Sequence, residues 1–467
     1  MTGLEFSANN TALWNFVIQL GIIALAILFA TLLRRKLPFI RRTMMPTAVL
    51  AGFLLLLARS VGLLELDLEF LEKTTYHGIA VGFIAMSLRV PKERTKGGGG
   101  LVGAKSGALI VSTYLVQALL GLAISIGLAY TFMPGLFKAS GILLPMGYGQ
   151  GPGQANNIGS SYEALGFAGG RSFGLSLAAA GYLCACIVGV IYINVLRRRG
   201  RVGGTGETVS AVTVDDFENR GEIPVSESID RFSVQVMLVG MVYLLTYLVS
   251  RGIDSLVAAV APGLTATVSP LLWGFNFIVG SALAMLVRAC MGLLRRANVM
   301  TRQYQNNYLL SRISGVAFDL MIVAGIASIN IEDLSGLWVP FLLMAVAGGA
   351  VTLFYLQWVC RRIYPDYYYE GLVSMYGMLT GTISSGVLLL REIDDTFETP
   401  AANNLVLGSS FGILFGAPML VLIGLAPDSD AMLFLVVGLC AVYLAALLLF
   451  MLRAGTGRRR KRREKQA

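Results

Sequence analysis

Long apolar runs recur along the whole chain, near 13–33, 46–64, 75–90, 106–131, 172–196, 233–250, 268–290, 312–331, 337–359, 400–426 and 431–453. A helix needs about 20 apolar residues to cross the ~30 Å hydrocarbon core of a bilayer, and most of these runs reach that length. They are continuous rather than alternating, which points to helices and away from the strands of a membrane barrel. Hydrophobic residues make up 55% of the 467 positions and charged residues only 14%, too apolar a balance for a water-soluble domain. The expected fold is an all-α integral membrane protein with about eleven transmembrane helices.

The net charge of +10 is spread as short basic runs at the ends of apolar segments: RRKLPFIRR at 34–42, RVPKERTK at 89–96, LRRRGR at 196–201, pairs of Arg at 295–296 and 361–362, and RRRKRREK near the end. This is the positive-inside pattern, and it excludes nucleic acid as the reason for the charge. Placing these loops in the cytoplasm puts the N-terminus outside and the C-terminus inside, with the basic tail 455–467 against anionic lipid. The first apolar run lacks a basic n-region and a small-residue cleavage site, so no cleavable leader is expected. The five cysteines lie in or beside apolar runs without a CxxC pair, and His77 is the only histidine. Disulfide, zinc and Ser/His/Asp chemistry therefore lack their residues, and the expectation is that the chain is not an enzyme. KGGGGLVGAKS at 96–106 fails as a phosphate loop because Ala104 separates Gly103 from Lys105.

Two segments do not read as simple spans: 138–166, with GYGQGPGQANNIGSSYEALG, and 367–396, with YGMLTGTISSGVLLLREID. The topology closes only if each enters and leaves on one side, the first from outside and the second from the cytoplasm. Backbone broken at that depth must line a cavity or be buried in protein. Gly149, Gly153, Asn156 and Asn157 align at constant spacing with Gly377, Gly381, Ser384 and Ser385, and Met45–Pro46 in one half has a counterpart in Ser269–Pro270 in the other. The expected organisation is an inverted-topology repeat: residues 1–199 with re-entrant segment 138–166, a polar cytoplasmic linker at 200–232, and 233–454 with re-entrant segment 367–396 and a final span.

A discontinuous helix exposes N–H groups that favour an anion and carbonyls that favour a cation such as Na⁺. Gln150, Gly151, Gly153, Gln154, Asn156 and Asn157 are the candidate binding residues of the first segment, and Thr380, Thr382, Ser384 and Ser385 those of the second. Packing competes with this reading, since Gly149 and Gly153 form a GxxxG, but the amides and hydroxyls at 154, 156, 157 and 160 exceed what packing needs. Asp319 lies inside an apolar span, where a carboxylate costs ~3 kcal/mol unless paired; it is a candidate for the cation, with an interhelical bond to Asn276 as the alternative. Asn403 and Asn404 are further cation candidates, with helix capping as the alternative. Arg391 is the candidate partner of a substrate carboxylate, against snorkelling or pairing with Glu392 or Asp394.

With these features in place, the chain resembles the bacterial sodium/glutamate symporter family over about 30–200 and 265–450. The resemblance is carried by RRTMMPTAVLAGFLLLL, LLPMGYGQGPGQANNIGSSYEALGF and YYEGLVSMYGMLTGTISSGV. Tyr148 and Gln150 stand where the family tends to have His and Thr. The resemblance implies a Na⁺-coupled symporter importing glutamate or a related organic anion, working as an elevator in a bacterial plasma membrane and pairing as a homodimer through a scaffold. The alternative class is an ion channel or gated pore built from the paired re-entrant loops.

Overall fold

The structure, a computed structural model, describes residues 7, 10–38, 40, 45–90, 99–202, 228–262, 265–300, 302–394 and 399–453; the side chains of Ser384 and Asn403 are not among what is described. The basic tail at 455–467 and most of the linker at 200–232 lie outside the described residues. Sixteen α-helices account for the described fold, joined by short 3₁₀ turns: α1 Thr11–Lys36, α2 Thr47–Ser60, α3 Leu68–Leu88, α4 Gly99–Thr131, α5 Leu143–Tyr148, α6 Pro152–Ala164, α7 Gly170–Arg198, α8 Ser228–Val260, α9 Thr265–Gly274, α10 Asn276–Arg296, α11 Asn307–Ala327, α12 Trp338–Ile363, α13 Tyr368–Thr380, α14 Ile383–Arg391, α15 Ala401–Leu425 and α16 Asp430–Arg453.

Among the described residues nine helices are long and apolar enough to cross a membrane: α1, α4, α7, α8, α10, α11, α12, α15 and α16. The chain is a multi-pass membrane protein. The count falls short of the eleven expected for two local reasons. The run at 46–64 yields a helix of only 14 residues. The run at 75–90 belongs to α3, which begins with Glu69, Glu72 and Lys73 and so fails on hydropathy, not length. The run at 268–290 is also not one rod, because the helix breaks at Phe275 between α9 and α10. Large apolar side chains such as Phe16, Leu25, Val346 and Val442 stand exposed, as lipid-facing surfaces require.

The helix ends follow local chemistry. Asn10 accepts from the Leu13 amide at 3.1 Å to start α1, and Asn306 from the Leu309 amide at 2.9 Å to start α11. Basic residues crowd the last turns of α1, α7, α10 and α12, where they oppose the negative end of the helix dipole. Asp67 starts α3, accepting from the Phe70 amide at 3.2 Å and from Asn15 Nδ2 at 2.5 Å. The Asn15 bond, followed by the Phe70 amide, holds the Asp67 carboxyl below the ordinary carboxylate range. Its stabilisation is therefore complete above that range and lost as pH falls through the lowered value. Asp67→Ala is expected to cost about 1 kcal/mol at neutral pH and progressively less in acid, read as thermal unfolding of the detergent-solubilised protein across a pH series.

The helices sort into two layers. In one, α2 lies on α11, α10 lies on α3, and α3 and α11 pack on each other, with α1, α8 and α9 around them. In the other, α4 packs against α12, α15 and α16, while α5, α6, α13 and α14 gather around α7. The layers touch chiefly through α3, α9 and α11 on one side and α6, α7 and α15 on the other. An ion pair between Glu72 of α3 and Arg171 of α7 crosses the boundary. Each layer takes helices from both halves of the sequence.

Candidate functional site

Two interrupted helices meet at the boundary between the layers. The first interruption separates α5 from α6. Gly151 takes φ +90° and ψ −175°, and Pro152 follows at the first helical position. That backbone region is open essentially to glycine alone, while proline is preset for a helix start. The second separates α13 from α14 at Gly381 and Thr382, with Thr382 extended (φ −142°, ψ 175°). A methyl group placed on Gly151 would stand 3.5 Å from Thr382 Cγ2 and 3.9 Å from the Gly381 carbonyl, so the two breaks are nearly in contact.

Beside this meeting point lies a cavity of about 140 Å³. The breaks contribute Gly149, Gln150, Gln154, Gly381 and Thr382 to its wall. The opposite layer contributes Ile79, Phe83, Phe277, Phe318 and Met321. α6 opens on Pro152, which has no N–H, so its donors begin at Gly153; these and the first amides of α14 mark the positive ends of two helix dipoles at the cavity. Gln154 is 1% exposed, and its Oε1 has no hydrogen-bond partner. Ser385 Oγ is likewise enclosed without a partner, and the enclosed hydroxyls of Tyr182 and Thr382 face only each other, without a well-formed hydrogen bond. A buried oxygen left unpaired costs about 1–3 kcal/mol, so this concentration at one place is chemically specific.

The candidate residues from the sequence divide into three groups. Gln150, Gly151, Gln154 and Thr382 stand at the breaks, Gln150, Gln154 and Thr382 on the cavity wall. Gly153 faces the other layer, and a methyl there would meet Ile79 at 2.6 Å and Met321 Sδ at 2.9 Å. Ser385 lies just behind the second break, its Oγ 2.9 Å from the methyl position of Gly381.

The second group, Asn156 excepted, is engaged in holding helices. Asn157 Nδ2 donates to the Gly274 carbonyl at 2.6 Å, capping the end of α9 where the helix breaks. Asn156 ties no helices: its Nδ2 donates to Asn157 Oδ1 at 3.4 Å within α6, and its own buried Oδ1 has no partner. Thr380 Oγ1 donates to the Tyr376 carbonyl at 2.8 Å within its own helix. Asn404 Nδ2 donates to the Tyr367 hydroxyl at 2.7 Å, tying α15 to the start of α13.

The third group lies apart from the cavity wall. Asp319 is on an exposed stripe of α11 with Arg312, Gly315 and Val316, within electrostatic range of Tyr182. Its expected alternative partner, Asn276, instead faces the Tyr243 hydroxyl at 3.5 Å. Arg391 is exposed at the far end of α14. Ser384 and Asn403 fall outside the described side chains.

Sequence reasoning missed Gln117, Tyr114, Tyr182 and the aromatic wall. Gln117 Nε2 donates to the Leu379 carbonyl and to Thr352 Oγ1, both at 2.9 Å, and so caps α13 beside its break as Asn157 caps α9. A lone Gln inside the apolar run 106–131 was the available signal. The Phe and Met wall carried no signal, since such residues fill any membrane helix. No protein-family model matches the chain, and no curated protein matches it either.

Proposed function

We propose that the chain is a Na⁺-coupled secondary transporter that imports glutamate or a related small organic anion by alternating access. The observation that carries this reading is the cavity where two interrupted helices, one from each half of the sequence, meet between two helical layers. A site on the boundary between two bodies changes the face to which it opens when one slides past the other, which is what alternating access requires. Two half-helix N-termini favour an anion there. The carbonyl end of α13 and the neutral oxygens of Tyr182, Thr382 and Ser385 suit a desolvated monovalent cation, with Asp319 near enough to add charge to its path.

The inverted repeat and re-entrant hairpins belong to the same reading. The pairing of α2 with α11 and of α10 with α3 supports it, since these are the contacts a repeat of the two halves would make. On this view the layer of α1–α3 and α8–α11 is the scaffold through which two copies pair in a bacterial plasma membrane, with the N-terminus outside. The Glu72–Arg171 ion pair then holds the moving layer in the state described.

The test is uptake into proteoliposomes of a panel of radiolabelled carboxylates, glutamate included, under an inward Na⁺ gradient, an inward H⁺ gradient or neither. Saturable uptake that requires the Na⁺ gradient is the expected result. Ion flux without saturable organic uptake would replace the transporter reading with the channel one.

A further inference from the structure

The lining of the cavity narrows the ligand beyond the proposed transport function, on which this inference rests. None of its lining residues is charged. Besides Gln150, Gln154, Tyr114, Thr382 and Ser409, the wall is built from glycines and from side chains such as Phe83, Phe277, Phe318, Met321, Met378 and Ile413. Its volume of about 140 Å³ is close to the ~150 Å³ of apolar cavities that hold one benzene-sized molecule. Polar recognition is concentrated on one side, where the first turns of α6 and α14 converge with the buried carboxamide of Gln154, whose Oε1 has no partner and accepts from a donor such as an ammonium.

Such a cavity offers favourable electrostatics for one anionic head and none for a second. A distal carboxylate would lie among Phe, Met and Ile without a cation. Arg391, the cation that a dicarboxylate would call on, sits eight residues beyond Ile383 on the same helix, roughly 12 Å away at 1.5 Å per residue. We infer that the cavity selects a carboxylate whose body is a short hydrocarbon chain of roughly four to six carbons, and discriminates against dicarboxylates such as glutamate. The carboxylate head binds at the two half-helix N-termini, where Gln154 contributes only its Nε2 as a donor, and the hydrocarbon fills the Phe/Met wall.

The experiment compares 4-methylpentanoate, leucine and glutamate in Na⁺ buffer, by calorimetric binding to the purified full-length protein and by uptake into proteoliposomes. The expected ranking places 4-methylpentanoate ~100-fold or more tighter than glutamate, the scale set by burying one unpaired charge. Leucine binding as well as 4-methylpentanoate also supports the inference and shows that the α13 carbonyls accept an ammonium. Gln154→Glu, which sets a like charge at the head site, is expected to weaken 4-methylpentanoate at least tenfold. Met378→Lys is expected to raise glutamate relative to it. Glutamate binding as tightly as either hydrocarbon ligand, with Na⁺-dependent uptake, overturns the inference and leaves the transporter reading standing. No binding and no uptake of any of the three, with no other carboxylate taken up, overturns both. The wild-type ranking decides by itself, so a variant that fails to fold does not remove the test.

Discussion

Replacing Gly151 by Ala is expected to reduce ligand affinity and uptake roughly tenfold or more while leaving the protein inserted. The cause is the backbone. At φ +90° and ψ −175° a side chain costs about 1–3 kcal/mol, and each 1.4 kcal/mol is a factor of ten in the population of the required tip. Space is not the obstacle, since the new methyl would make only ordinary contacts at 3.5 and 3.9 Å with the second break. The chain would relieve the strain by turning differently between α5 and α6, which displaces the first amides of α6 and the Gln154 side chain together. Gly166 supplies the control, with φ +100° and open space around it at the end of α6. Gly166→Ala is expected to lower thermal stability by a similar amount and leave affinity unchanged. Equal affinity in wild type and Gly151→Ala would show that the tip geometry is irrelevant to binding.

Asn157→Ala is expected to destabilise the fold by about 1–3 kcal/mol, the cost of leaving a buried carbonyl without its donor. Asn157 is 4% exposed and donates to Gly274 at 2.6 Å, across the boundary between the layers. The Gly274 carbonyl needs an outside donor because the helix stops there before restarting at Asn276. The measurement is denaturant unfolding in detergent, together with hydrogen exchange of the amides around 275–278. Unchanged unfolding with lost ligand binding would return Asn157 to the ligand-contacting role that its place in the QANN run suggested.

These two residues show which parts of the site were legible beforehand. Gly151 and Pro152 announced a helix break because both act through their own φ angles, and the break lies where the sequence placed it. Gln154 and Thr382 were legible for a related reason: a polar side chain next to a break in an apolar run has few uses other than lining a cavity. Asn157 and Asn404 carried the same outward signal yet serve as ties, because their partners, Gly274 and Tyr367, are distant in the chain. Asp319 was singled out for its depth in an apolar run, but depth alone does not say which way a helix faces.

The sequence by itself determined the helical, membrane-spanning class and the positions of both interruptions, since run length, glycine and proline act on the backbone locally. Among the described residues, nine of the eleven expected spans are long and apolar enough to cross a membrane; the other two correspond to α2, which is short, and α3, which opens on charges. The tertiary structure alone decided the grouping of α1–α3 with α8–α11 against the rest. It alone decided that an uncharged wall of Phe, Met and Ile faces the two breaks. Both depend on contacts between residues far apart in the chain, and in an environment where nearly every side chain is apolar, composition does not distinguish a wall that faces a ligand from one that faces lipid.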